Sequence, residues 1–283
     1  MKCKNCEKQL SENDKFCNEC GAKVIEQRLT NGFFISEVKE NFFSIDANRP
    51  LRTFVDLFKE PEAVVCGYIN GVRKKYINPF GYFTIAITLT TFFYFVAQKF
   101  FPESIEAGMS MATSINEEQK ASVNKFQSAI FEYQSLLYFA FIPFFAIITW
   151  LLFIVKRRYN FVEHLILNMY GYSQASIFVI IGYFITVSFE SVFQYAMITS
   201  MLLQVIYYAY FLKRIFKLSF GQIVLKTLLF IPLGFVFYMI ISVIVIVILL
   251  LIGVIELKDF LPPPKETKDA VSYIASSVIN WTS

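Results

Sequence analysis

Five stretches of this 283-residue chain run without an Asp, Glu, Lys or Arg for long enough to cross a bilayer: 76–98, 133–155, 165–189, 191–212 and 227–255. A helix rises about 1.5 Å per residue, so roughly 20 apolar residues cover the hydrocarbon core. The last stretch includes 241–251, which is almost entirely Ile, Val and Leu. Charged residues make up 17% of the chain, against about 25% in soluble domains, and they crowd into its two ends. A soluble all-helical core would need far more chain to cover five such helices. The expected fold is therefore all-α, a polytopic helical membrane bundle of about five transmembrane helices. Glu190 leaves almost no loop between the third and fourth stretches. Pro232 and a start near Phe220 give the fifth room for an interfacial turn carrying Lys226, so four or six spans are the competing counts.

Direction follows from the short basic loops. Arg73, Lys74 and Lys75 precede the first stretch, Lys156, Arg157 and Arg158 follow the second, and Lys213, Arg214 and Lys217 follow the fourth. With five spans these clusters share one side. Residues 99–132 fall on the other, with Lys99, Lys120 and Lys125 set against five glutamates. The first 30 residues hold no apolar run that could serve as a signal peptide. The N-terminus is thus expected in the cytoplasm. The tail 257–283, stiffened by Pro262, Pro263 and Pro264, is expected outside.

A cytoplasmic address decides how the cysteines read. Cys3 and Cys6 form one CxxC and Cys17 and Cys20 a second, with Gly21 directly after. Two such pairs can set four thiolates tetrahedrally around zinc, and a reducing compartment disfavours disulfides. Four cysteines leave no open ligand position, so the expected cofactor is a structural zinc ion in a knuckle over 1–24. Phe16 is the one sizeable apolar residue expected to pack against it. Lys2, Lys4, Lys8, Lys15 and Lys23 are offset by Glu7, Glu12, Asp14 and Glu19, so nucleic acid is not an expected partner.

Residues 25–75 read as cytoplasmic amphipathic or interfacial helices. The segments 33–43 and 51–58 carry apolar residues at helical spacing, as Phe54, Leu57 and Phe58 do between Arg52, Asp56 and Lys59. Pro61 suits a helix start, and Cys66 lies within the short apolar helix that follows. A buried structural thiol is the expectation there.

The order of motifs resembles an uncharacterised bacterial integral-membrane family common in Bacteroidetes, domain-of-unknown-function family 3667. The matching residues are Cys3, Cys6, Cys17, Cys20 and Gly21, then Thr53, Leu57, Pro61, Tyr68, Gly71, Arg73, Tyr76 and Pro79. They continue with Tyr159, Asn160 and Phe161 followed by Glu163 and His164. The resemblance runs from the N-terminus to the fourth span, and departs in lacking a Gln directly after Gly21. It implies the architecture and a bacterial inner-membrane location, and brings no activity with it.

His164 is the single histidine and stands beside Glu163 at the mouth of the third span. Asn160 and Glu163 have the spacing of a capping box, and His164, Asn168 and Tyr172 share one helix face. Polar residues entering a membrane helix also mark functional paths. Glu163, His164 and Asn168, helped by Arg73 or Arg157, are the candidate polar site at the membrane interface. Gln174, Ser176, Thr186, Gln194, Thr199, Ser200 and Gln204 suit interhelical hydrogen bonds or a cavity lining, and Tyr207, Tyr208 and Tyr210 an interfacial aromatic belt. One histidine without an acidic partner in the spans does not fill a catalytic metal site, and no phosphate-binding glycine loop occurs. The first reading is a scaffold or sensor whose zinc knuckle contacts a cytoplasmic protein and whose spans contact membrane lipids. A small-solute or lipid transporter or channel is the second, and an enzyme acting on lipid headgroups the third.

Overall fold

The computed structural model describes residues 1–11, 14–24, 30, 32, 49–110, 133–154, 158–251 and 253. Arg157, the segment 33–43 and the tail 257–283 lie outside the described residues. Eight helices are described: α1 (Arg49–Lys59), α2 (Pro61–Ile69), α3 (Pro79–Phe100), α4 (Pro102–Ser110), α5 (Gln134–Leu152), α6 (Phe161–Thr186), α7 (Glu190–Phe216) and α8 (Phe220–Leu251). Among them α3, α5, α6, α7 and α8 are long and apolar enough to cross a membrane. The chain is an all-α polytopic bundle with a small cysteine ribbon at its N-terminus.

Local chemistry sets the helix starts. Proline opens α2, α3 and α4, where its missing N–H has no intrahelical partner to lose. Asn78 caps α3 by accepting from the Gly81 N–H at 2.6 Å. Helix α6 begins at Phe161, four residues before the charge-free stretch. Its first turn is fixed by a reciprocal capping box: the Asn160 side chain accepts from the Glu163 N–H at 2.9 Å, and the Glu163 carboxylate from the Asn160 N–H at 2.7 Å. Glu163 is thereby consumed in starting the helix, beside the positive end of its dipole. Helix α8 begins at Phe220 and carries Lys226 inside it, rather than starting at Thr227.

Helix α6 is the axis of the bundle, with 61% of its apolar window buried, whereas the figure for α8 is 11%. Close approach to α7 requires a residue without a side chain: a Cβ on Gly171 would stand 2.8 Å from the Phe211 ring. At one end of the bundle α4 folds under the tips of α6 and α7, where Ser104 donates to the Val187 carbonyl at 2.8 Å. At the other end lie α1, α2 and the basic segments. There Arg158 donates to the Ile215 carbonyl at 3.2 Å, and Arg214 pairs with Glu62 of α2.

The tyrosines near the end of α7 do not form a lipid-facing belt. Tyr207 donates to the Leu57 carbonyl at 3.3 Å and Tyr210 to the Phe58 carbonyl at 2.8 Å. These are last-turn carbonyls of α1, which no intrahelical N–H can reach. Tyr208 points inward instead and donates to Asn168. The phenols therefore fasten an amphipathic helix to the membrane bundle.

Candidate functional site

The ribbon is built from two turns of the same design. In each, the first cysteine accepts at its carbonyl from the N–H four residues on: Glu7 to Cys3 at 2.9 Å and Gly21 to Cys17 at 2.7 Å. Each of these cysteines also donates its own N–H five residues ahead, to the Lys8 carbonyl and the Ala22 carbonyl, both at 2.8 Å. The turns close through a left-handed residue, Glu7 at φ 64° and Gly21 at φ 62°. Bridges between Lys2 and Gln9 and between Phe16 and Lys23 follow. This folding points both cysteine pairs inward.

The four sulfur atoms lie within 4.8 Å of one another, with Cys3 Sγ 3.7 Å from Cys20 and Cys6 Sγ 3.6 Å from Cys17. Zinc–thiolate bonds of ~2.3 Å at tetrahedral angles require sulfur–sulfur edges of about 3.8 Å. The donor set therefore fits a closed zinc site. Cys3 and Cys17 are buried, and the backbone N–H of Cys20, with that of Glu19, pulls the Cys17 thiol down to about 6 against the desolvation that opposes ionisation. Cys6 moves the opposite way: against the pull of the Lys8 backbone N–H, burial and its cysteine neighbours push it up to about 12, so the four crowded sulfurs do not all ionise until a cation joins them.

Leu10, Ala22 and Val24 pack around this cluster. Phe16 does not: its side chain is 58% exposed, contrary to the sequence expectation. It belongs to the bridge with Lys23, and the small aliphatic residues already fill the space beside the sulfurs. On another side the ribbon touches the loop before α3, where the Asn5 side chain accepts from the Lys74 N–H at 3.2 Å. A Cβ on Gly21 would stand 2.8 Å from the Lys74 ammonium.

The juxtamembrane residues form a connected unit against α6. Thr53 accepts from the Ile77 N–H at 3.1 Å, and Tyr170 donates to the Ile77 carbonyl at 2.6 Å. Tyr76 donates to Asp56 at 3.0 Å, and the Cys66 sulfur lies 3.2 Å from the Tyr159 hydroxyl. The half-buried Cys66 thus joins the 61–69 helix to the turn that starts α6. Gln174 is fully buried; it accepts from Tyr82 and donates to the Phe54 carbonyl at 3.0 Å.

The candidate polar site divides into two places. His164 and Asn168 converge on Thr149 of α5: His164 Nδ1 is 3.1 Å from its Oγ1, and Asn168 donates to the same oxygen at 2.8 Å. Asn168 also donates to the His164 carbonyl at 2.7 Å, while the His164 ring stacks on Phe216 with centroids 5.8 Å apart. Glu163, His164 and Asn168 are all buried. Arg73 lies elsewhere, its guanidinium 4.1 Å above the Tyr68 ring, which in turn meets Tyr170 edge-on. Burial draws the Arg73 guanidinium down to about 10. Glu163 is thus engaged in the capping box, His164 and Asn168 meet at Thr149, and Arg73 lies over Tyr68.

Sequence reasoning missed Thr149, the hydroxyl on which the cluster turns. It is one small polar residue in an otherwise apolar run, and no spacing within that run shows what it faces. It also missed Tyr208, placed in a belt because it adjoins basic residues.

A model of a zinc-ribbon domain matches residues 2–24. A model of a family described as a protein of unknown function (DUF3667) matches residues 48–91, which cover α1, α2 and the first half of α3. No curated protein and no solved structure matches the chain.

Proposed function

We propose that the protein is a membrane-embedded scaffold or sensor, and that its ribbon, folded around a structural zinc ion, presents a recognition surface to a cytoplasmic protein. The observation that carries this reading is Phe16, a large aromatic side chain left 58% exposed on a unit whose Leu10, Ala22 and Val24 surround the cysteines. Exposed aromatic anchors supply much of the binding energy at protein interfaces. The four-sulfur geometry supports zinc, and a closed set of ligands supports a structural role. The described basic residues at the ribbon end of the bundle, Lys74, Arg158 and Arg214 among them, support a cytoplasmic N-terminus. The buried, mutually bonded His164, Asn168 and Thr149 favour packing over a solute path.

The test separates folding from recognition. Zinc content of the purified protein is expected at one per chain and lost when Cys17 and Cys20 are both changed to Ser. Crosslinking in cells, read by mass spectrometry, is expected to join the ribbon to one cytoplasmic protein. Phe16→Ala should keep the zinc and lose that crosslink. Zinc retained in the double variant overturns the metal site, and an undiminished crosslink in Phe16→Ala overturns the recognition role.

A further inference from the structure

A crevice of about 220 Å³ opens between α5, α6, α7 and α8, lined by Phe145, Tyr172, Met201, Tyr208, Lys226 and Phe230 among others. Its walls are largely aromatic and aliphatic. Along α7 it runs from Leu212 to Met201, a rise of about 16 Å at 1.5 Å per residue. One end therefore lies close to the basic turn after α7, and the other reaches toward the middle of the span. Such a slot has the shape of a hydrocarbon chain lying along a helix.

Its charge is one-sided. Among the described residues, Lys226 is the one lysine, arginine or carboxylate in the lining. Its ammonium donates to the Leu152 carbonyl at the end of α5 and lies 5.5 Å from the Phe153 ring. An ammonium has three N–H donors, and that carbonyl takes one. Lys213 and Lys217 occupy the adjoining turn, where Arg214 is paired with Glu62 of α2, and no acidic residue occurs between Lys213 and Lys226. On one wall, the Tyr208 hydroxyl is turned to Asn168, which in turn donates to Thr149.

We infer that this crevice binds an anionic phospholipid, with one acyl chain between α7 and α8 and the phosphate beside Lys226. A cation at the interface end of an apolar slot complements a molecule that is anionic at one end and hydrocarbon for the rest. A soluble anion would gain nothing from the aromatic walls, and a zwitterionic lipid would gain less from the basic mouth.

Native mass spectrometry of the detergent-purified chain, titrated with phosphatidylglycerol or phosphatidylcholine, tests this. One phosphatidylglycerol is expected to bind at least ten-fold more tightly than phosphatidylcholine. Lys226→Gln should remove that preference and Lys226→Arg should keep it, which controls for the bond to Leu152. Met201→Trp, at a lipid-exposed position of the deep end, should weaken both lipids by obstructing the chain, with an unchanged melting temperature. Equal affinity for the two lipids, a preference that survives Lys226→Gln, or binding indifferent to Met201→Trp overturns the inference. So does a dimer that excludes lipid from the crevice.

Discussion

The side-chain oxygen of Asn5 accepts a hydrogen bond from the backbone N–H of Lys74 at 3.2 Å, so the ribbon holds the turn that leads into α3. Asn5 lies inside the first CxxC, and the metal state of the cysteines should be felt at that turn. Chelating the zinc is expected to raise hydrogen exchange at the Lys74 amide. Asn5→Ala should do the same with zinc bound, by about five-fold if the bond is worth about 1 kcal/mol. Exchange that is unaffected by both treatments would mean the ribbon and the turn move independently.

Thr149 serves two partners that are buried with it. Thr149→Val keeps the shape and removes the oxygen, leaving buried polar atoms of His164 and Asn168 without it. The expected loss is about 1–3 kcal/mol, seen as a lower melting temperature in detergent. Thr149→Ser restores the hydroxyl and should recover most of the loss. A valine variant as stable as the parent would show that the cluster contributes nothing net.

The two halves of the ribbon carry different residues at the left-handed position of the same turn. Gly21 takes its left-handed conformation without a Cβ, whereas Glu7 adopts φ 64° with one. That conformation costs an ordinary residue roughly 1–2 kcal/mol. Glu7→Gly is expected to make the site hold zinc about five-fold more tightly in a chelator titration. Gly21→Ala should weaken it, through both the backbone and the nearby Lys74 ammonium.

Tyr76 gives the unit formed by α1 and the turn before α3 an alkaline limit. Burial, and then the hydrogen bond it donates to Asp56, push its phenol from 10 up to about 12. The unfolded chain gives up this proton first, so the stabilisation is whole below pH 10 and is lost as the pH rises through about 12. Thermal unfolding followed from pH 9 to 12 should show a decline that Tyr76→Phe reduces. An identical decline in that variant would assign it to other groups.

The five long helices were legible because freedom from charge over bilayer length is a local property of the sequence. Their ends were less so. At α6 the capping box was visible in Asn160 and Glu163, yet absence of charge placed the span four residues late, because Glu163 is charged and helical at once. For α8 the longer alternative, a start near Phe220 with Lys226 inside the helix, is the one the structure takes, and the charge is met by the end of another helix. The cysteine site was readable because CxxC spacing is itself the geometry of a turn. What Phe16, Thr149 and Tyr208 do was not, because exposure and partnership depend on which helix or strand arrives from elsewhere. Glu163 and His164 looked like a pair, and the structure gives them separate tasks.

The weak embedding of α8 bears on how the chain is made. The polar contacts that lock the bundle, from Gln174 to Phe54 and from Thr149 to His164 and Asn168, lie among α1, α5 and α6 and are complete before α8 is synthesised. With 11% of its apolar window buried, α8 arrives at a finished assembly and lies against it. Among the described spans α8 is thus a late addition, tied to the rest by Lys226 on the Leu152 carbonyl and by the stacked Phe145 and Phe230 rings, and otherwise turned toward the surrounding lipid.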